Sequence, residues 1–287
     1  MSALNNKIDF LALAVVDKAN PNGDPLNGNR PREDYDGYGE ISDVCIKRKI
    51  RNRLQDMGED IFVQSEDNCV DGEKSLSDRA NHLEGIKAAL KNKDKEAYAK
   101  AACEKWIDVR SFGQVFAFKK EESSGVSVGV RGPVSIHTAV SVDPVDIASM
   151  QITKSVNSET KDKKSSDTMG MKHRVEFGLY IIKGSINTQL ATKTGFSDED
   201  AEKIKEALKT LFENDSSSAR PDGSMEVRRL YWWKHNCAAG QYSSAKVHRS
   251  VEIALKDDVE KPSSFEDYAI TLHTLAGLEP EIVEDCR

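Results

Sequence analysis

Apolar positions along this chain repeat with two different periods, and the changes of period mark its elements. Ile8 to Val16 is an apolar run that reads as a buried strand. From Ile41 the spacing becomes helical. Ile46, Ile50, Leu54 and Met57 share one face and predict a helix over about 42–57 packed on a sheet. Ser42 can cap it, with Asp43 in its first turn. Residues 126–142 are rich in β-branched side chains and predict a second strand region. Residues 174–186 read as a central strand, and 225–234 as a further one. Between them, 196–212 predicts a helix. Ser197 and Asp200 supply a capping-box start, and Ile204, Leu208, Leu211 and Phe212 an apolar stripe.

The resulting order is strand, helix, strand, strand, helix, strand. That is the split-βαβ, ferredoxin-like arrangement of an α+β protein, also used by RNA-recognition domains. Two stretches interrupt it. Residues 58–125 are charged and weakly periodic and predict an insertion with a helix near 77–103. Residues 151–172 are dominated in the middle by Ser, Thr, Lys, Asp and Gly, and predict a long hairpin or mobile loop leaving the body. Both fall within one domain spanning 1–287.

Composition narrows the class. At 287 residues, 38% hydrophobic and 31% charged, the chain predicts a soluble globular protein, with no apolar run long enough to cross a membrane. MSALNNKIDF lacks the basic and apolar regions of a signal peptide. Five cysteines without a CxxC pair argue against a disulfide scaffold or zinc ribbon and for the cytoplasm. The net charge of −7 argues against nucleic acid, but its distribution matters more. Residues 257–287 hold nine acids against Lys261 and Arg287, so residues 1–256 are balanced. The acidic end is either a solvated surface or a docking face for a basic partner.

The candidate chemistry begins at Asn20. NPNGDPLNGNRPR, residues 20–32, holds three Pro, two Gly and four Asn, and so forms a shaped loop. It offers backbone N–H groups, the amides of Asn20 and Asn22, and Arg30. The helix after it carries Lys47, Arg48, Lys49, Arg51 and Arg53; at 100° per residue Lys47, Arg48 and Arg51 project together. Strand, loop and basic helix in succession suit a protein that holds a polyanion. Arg110 and Arg131 precede Ser-Phe-Gly and Gly-Pro turns, and each either faces nucleic acid or serves an internal ion pair. The 151–172 segment adds Lys154, Lys161, Lys163, Lys164 and Lys172. Strand 174–182 lacks the full aromatic pattern that stacks bases on a sheet. Trp232 and Trp233 are therefore expected in a core or a subunit contact. His235 and Cys237 have no partner pair at metal-ligand spacing, and no GxSxG, Walker A or HExxH motif is present.

Nine stretches, in order along the chain, carry a family resemblance. They are NPNGDP at 20–25, IKRKIRN at 46–52, DVRSFGQVF at 108–116, VRGPVSIHTAVSVDPV at 130–145, ITKSVN at 152–157, MGMKH at 169–173, FGLYIIKG at 177–184, TGFSDED at 194–200 and ALKTLFENDSSSAR at 207–220. Together they resemble the backbone subunit of a type I CRISPR surveillance complex (Cascade) of the I-C, or Csd, subtype, within the RAMP superfamily. The resemblance implies an RRM-like palm, a finger-like insertion at 58–125 and a thumb β-hairpin at 151–172. It implies several copies of the chain in a helical filament along one guide RNA (crRNA), which pairs with target DNA in antiviral defence. Further implied partners are the repeat-processing 5′-handle subunit, the large subunit and the small subunit. No cofactor, metal, membrane or catalytic role is implied.

In that picture Lys47, Arg48 and Arg51 meet guide-RNA phosphates, whose neutralisation releases counterions. Met169 or Met171 forms an apolar wedge beside Lys172 and His173. Related I-C sequences commonly read MGRK where this chain reads MGMK, so a phosphate contact from that missing Arg is not expected here. The alternative is a metal-dependent RNase using Asp24 or Asp34, similar to RNA-cleaving relatives in type III complexes.

Overall fold

The computed structural model describes residues 2–117, 127–153 and 169–286. Strand β1, Ile8–Ala19, leads into two short paired strands, β2 (Gly23–Asp24) and β3 (Arg30–Pro31), and then β4 (Tyr38–Ile41). Helix α1 is Asp43–Asp56. Next come α2 (Leu76–His82), α3 (Glu84–Asn92), α4 (Lys95–Lys105) and α5 (Ile107–Phe112). Strands β5 (Gly113–Phe116), β6 (Val128–Arg131), β7 (Val134–Ile136), β8 (Ala139–Pro144), β9 (Ile147–Thr153) and β10 (Met169–Ile186) follow. The chain continues through α6 (Thr188–Thr194), α7 (Asp198–Lys209), β11 (Met225–Lys234), α8 (Ser244–His248), β12 (Val251–Leu255), β13 (Tyr268–Leu272) and β14 (Glu281–Glu284).

The main sheet runs β14-β11-β1-β10-β8-β4, with β7 and β9 also paired to β10, and all its pairings are antiparallel. Its centre has the ferredoxin-like order: fourth strand, first, third, second. From Phe10 to Val16 strand β1 is apolar because both of its faces are buried there. Phe10, Ala12, Ala14 and Val16 point to one core with Ile46, Ile50 and Leu54 of α1 and Ile204 and Leu208 of α7. Leu11, Leu13 and Val15 point the other way, to Tyr231, Trp233, Val247, Val251 and Tyr268. The C-terminal part of the chain therefore covers the sheet face that would otherwise be open for base stacking. Trp232 and Trp233, at 2% and 1% exposure, fill these two opposite cores.

A third apolar cluster joins Phe62, Ala80, Ile86, Tyr98, Ala102, Trp106, Phe116 and Val128. Here the expected single helix near 77–103 is corrected to three. Leu83 is extended, Lys93 sits at φ +54°, and the Asp94 side chain starts the next helix by accepting from the N–H groups of Glu96 and Ala97. The strand region at 126–142 is likewise divided, and β6 pairs with β5 apart from the main sheet. By contrast, α7 starts as expected: Ser197 and Asp200 exchange side-chain-to-backbone bonds in a capping box.

Candidate nucleic-acid interface

The loop at 20–32 is held from within. Asn20 is buried; its backbone N–H donates to the Ala219 carbonyl and its amide to the Asn29 carbonyl at 2.7 Å. Asn22 Oδ1 accepts the Ser42 N–H at 2.9 Å, which ties the loop to the start of α1. The Asn20 donor and the Asn22 acceptor are thus spent on the loop's own shape. Asp24 accepts from Leu26 N–H and from Arg32, and Gly28 turns the tip at φ +59°. Leu26 stands out at that tip, 98% exposed.

The tip meets a two-stranded ribbon. Strands β9 and β10 pair from Val175–Ile147 out to Met169–Thr153, beyond the body of the sheet. Arg30 donates to Ser149 Oγ at 3.2 Å, and Ser149 Oγ is 2.8 Å from His173 Nδ1. A Cβ on Gly28 would lie 3.9 Å from His173 Nε2. Arg30, Ser149, His173 and the loop tip therefore form one continuous surface. Paired residues share a face of the ribbon. Met169, Met171 and His173 lie on one face with Thr153, Gln151 and Ser149; Lys172 lies on the other, opposite Met150. Lys154, with Lys161, Lys163 and Lys164, lies outside the described residues.

The basic helix differs from its sequence. Lys47 pairs with Asp43 at 2.9 Å, and that bond holds the Asp43 carboxyl below its ordinary value. Lys49 is buried against Asp215, and burial pushes its ammonium pKa down. Arg51 donates to buried Asp108 at 3.0 Å and stacks over Phe112. Arg53 reaches Glu213 at 2.7 Å. Of the five cations of α1, Arg48 alone is exposed and has no ion pair among the described residues. The expectation that Lys47, Arg48 and Arg51 form one open cationic face is corrected, because Asp43, one turn away, takes up Lys47 and Asp108, distant in sequence, takes up Arg51.

Arg110 takes the second of its two expected roles. Its guanidinium forks onto Asp200 at 3.0 and 2.8 Å, the same carboxylate that caps α7. Arg131 is exposed at the end of β6. It follows a close approach in which a Cβ on Gly113 would lie 2.4 Å from the Val130 carbonyl. The two loop aspartates also have local duties. Asp24 holds Arg32, and Asp34 accepts the N–H groups of Asp36 and Tyr38, both at 2.9 Å. Among the described residues no three His, Cys, Asp or Glu side chains converge as a metal site would require. His235 is buried instead against Asp9, 2.8 Å from its carboxylate.

Residues 6–273 match the family model described as CRISPR-associated protein Cas7. The chain belongs to the Cas7 family. A relative from Haloferax volcanii, described as CRISPR-associated protein Cas7, is 28% identical over 241 residues, covering 79% of this chain and 69% of its own. Among solved structures, a chain of a CRISPR RNA-guided surveillance complex, pre-nicking, superposes with a TM-score of 0.53 at 14% identity, covering 89% of this chain and 84% of that one. A chain of a second CRISPR RNA-guided surveillance complex gives 0.44 at 15% identity, covering 79% and 68%. The fold of this Cas7-family chain is thus shared with a surveillance-complex subunit.

Sequence reasoning missed Ser149, Leu26 and the start of the ribbon at Ile147. IASMQIT does carry a strand-like pattern, but nothing local shows that Ser149 bridges Arg30 and His173.

Proposed function

We propose that this protein is a crRNA-binding backbone subunit of a type I-C (Csd) CRISPR surveillance complex, acting without catalysis of its own. Copies assemble in a filament along one guide RNA, with residues 58–125 as finger and 151–172 as thumb. The chain holds backbone and shape, and pairing between guide and target DNA reads sequence. The observation that carries the reading is the junction of loop and ribbon through Arg30, Ser149 and His173, in a chain of the Cas7 family. Arg48, Arg131 and Lys172 add positive charge for phosphate, and Met169 and Met171 add apolar contact.

The test is co-expression with a CRISPR array. Purified protein should carry guide RNA, seen as absorbance at 260 nm, and should bring down the other subunits of the complex. Arg30→Ala and His173→Ala should reduce the RNA carried while leaving the melt unchanged. Protein free of RNA would overturn the reading. So would divalent-metal-dependent RNA cutting that is lost in Asp24→Ala; that result would favour the RNase.

A further inference from the structure

The placement of methionine sulfur on the ribbon has a chemical consequence. The described methionines are Met57, Met150, Met169, Met171 and Met225. Met225 is buried, and Met57 packs against the main core. The other three all lie on β9 and β10 and are 38%, 62% and 54% exposed. None of them belongs to any of the three apolar clusters. The Gln151 amide donates to Met169 Sδ, so that sulfur stands at the polar surface.

We propose that Met150, Met169 and Met171 are a reversible oxidation site that weakens nucleic-acid binding, with hydrogen peroxide as the oxidant; this rests on the ribbon contacting RNA. A sulfur lone pair attacks one peroxide oxygen. The S–O bond forms as the O–O bond breaks, and proton transfer lets the other oxygen leave as water. Sulfur loses two electrons and the peroxide gains them. The product is a sulfoxide, polar and chiral, in place of a flexible apolar thioether. Its oxygen carries partial negative charge; on Met169 and Met171 it would face phosphate on the side shared with His173, and on Met150 it would stand beside Lys172 on the other face. Because the three side chains pack in no core, oxidation changes the surface and spares the fold. A reductase specific for methionine sulfoxide reverses it.

The experiment treats the full chain with hydrogen peroxide, restores its thiols with a reductant, and maps sulfoxides by peptide mass spectrometry. Sulfoxide should appear at Met150, Met169 and Met171 well before Met225, with an unchanged melting transition. Guide-RNA affinity should fall by about tenfold and return after reductase treatment. A variant carrying Met150→Leu, Met169→Leu and Met171→Leu, compared with its own untreated state, should show no response to peroxide. Indiscriminate oxidation overturns the proposal. So does unchanged affinity with all three sulfurs oxidised, or an equal loss in the leucine variant. If untreated protein fails to bind RNA, the reading of the interface falls and the proposal falls with it, whatever the sulfoxide map shows.

Discussion

Arg110 and Asp200, ninety positions apart, join α5 to α7 through two parallel N–H···O bonds of 3.0 and 2.8 Å. Asp200 also accepts the Ser197 N–H, so one buried carboxylate caps a helix and anchors a second element. Breaking a buried pair from one side leaves the other charge uncompensated, at a cost of about 3 kcal/mol or more. Arg110→Ala should therefore lower unfolding stability by about that amount in a urea titration. The change should leave the salt dependence of RNA binding as it was. A flatter salt slope with unchanged stability would return Arg110 to the RNA surface.

Arg48 and Arg51 should separate in the same way. Arg51 is held by Asp108, which also accepts the N–H groups of Phe62 and Val63. Arg51→Ala should destabilise the fold by about 3 kcal/mol. Arg48→Ala should leave stability within about 0.5 kcal/mol. By the single-strand counterion relation it should flatten the log–log salt slope by roughly 0.7. Equal salt slopes for the Arg48 variant and wild type would remove Arg48 from the interface.

Asp71 and Arg79 predict a response to acid. Hydrogen bonds from Arg79, at 2.5 and 2.8 Å, hold the Asp71 carboxyl far below its ordinary value of 3.8. Arg79 also donates to the Phe62 carbonyl, linking the pair to the third apolar cluster. The folded value lies below the unfolded one, so the contribution is complete above about pH 4 and is lost as the pH falls below it. Unfolding stability measured at pH 5 and pH 3 should drop, and Asp71→Asn should shrink that drop. An identical drop in the variant would show that Asp71 does not drive it.

Replacing residues 155–168 with a short Gly/Ser turn should leave the chain folded. The flanking strands are already closed by the ladder from Val175–Ile147 to Met169–Thr153, and loop length costs little in stability. The same change should abolish ordered filaments on guide RNA in negative-stain images. A collapsed melt would make the segment part of the core, and normal filaments would make it dispensable.

Local signals were enough for the six elements of the ferredoxin-like order. The stripe at Ile46, Ile50 and Leu54, the capping box at Ser197 and Asp200, and the apolar run of β1 each depend on neighbours a few residues away. Periodicity records such relationships directly. The breaks at Leu83 and Lys93 escaped because 58–125 packs a core of its own with weak periodicity. What the sequence alone determined was the ferredoxin-like order and the loop-then-basic-helix layout. Tertiary structure decided which charges remain free. Lys49 meets Asp215 across 166 positions and Arg51 meets Asp108 across 57. A charge in a sequence carries no record of its partner. Packing alone brings the two within the few ångströms at which a cation stops being available to phosphate.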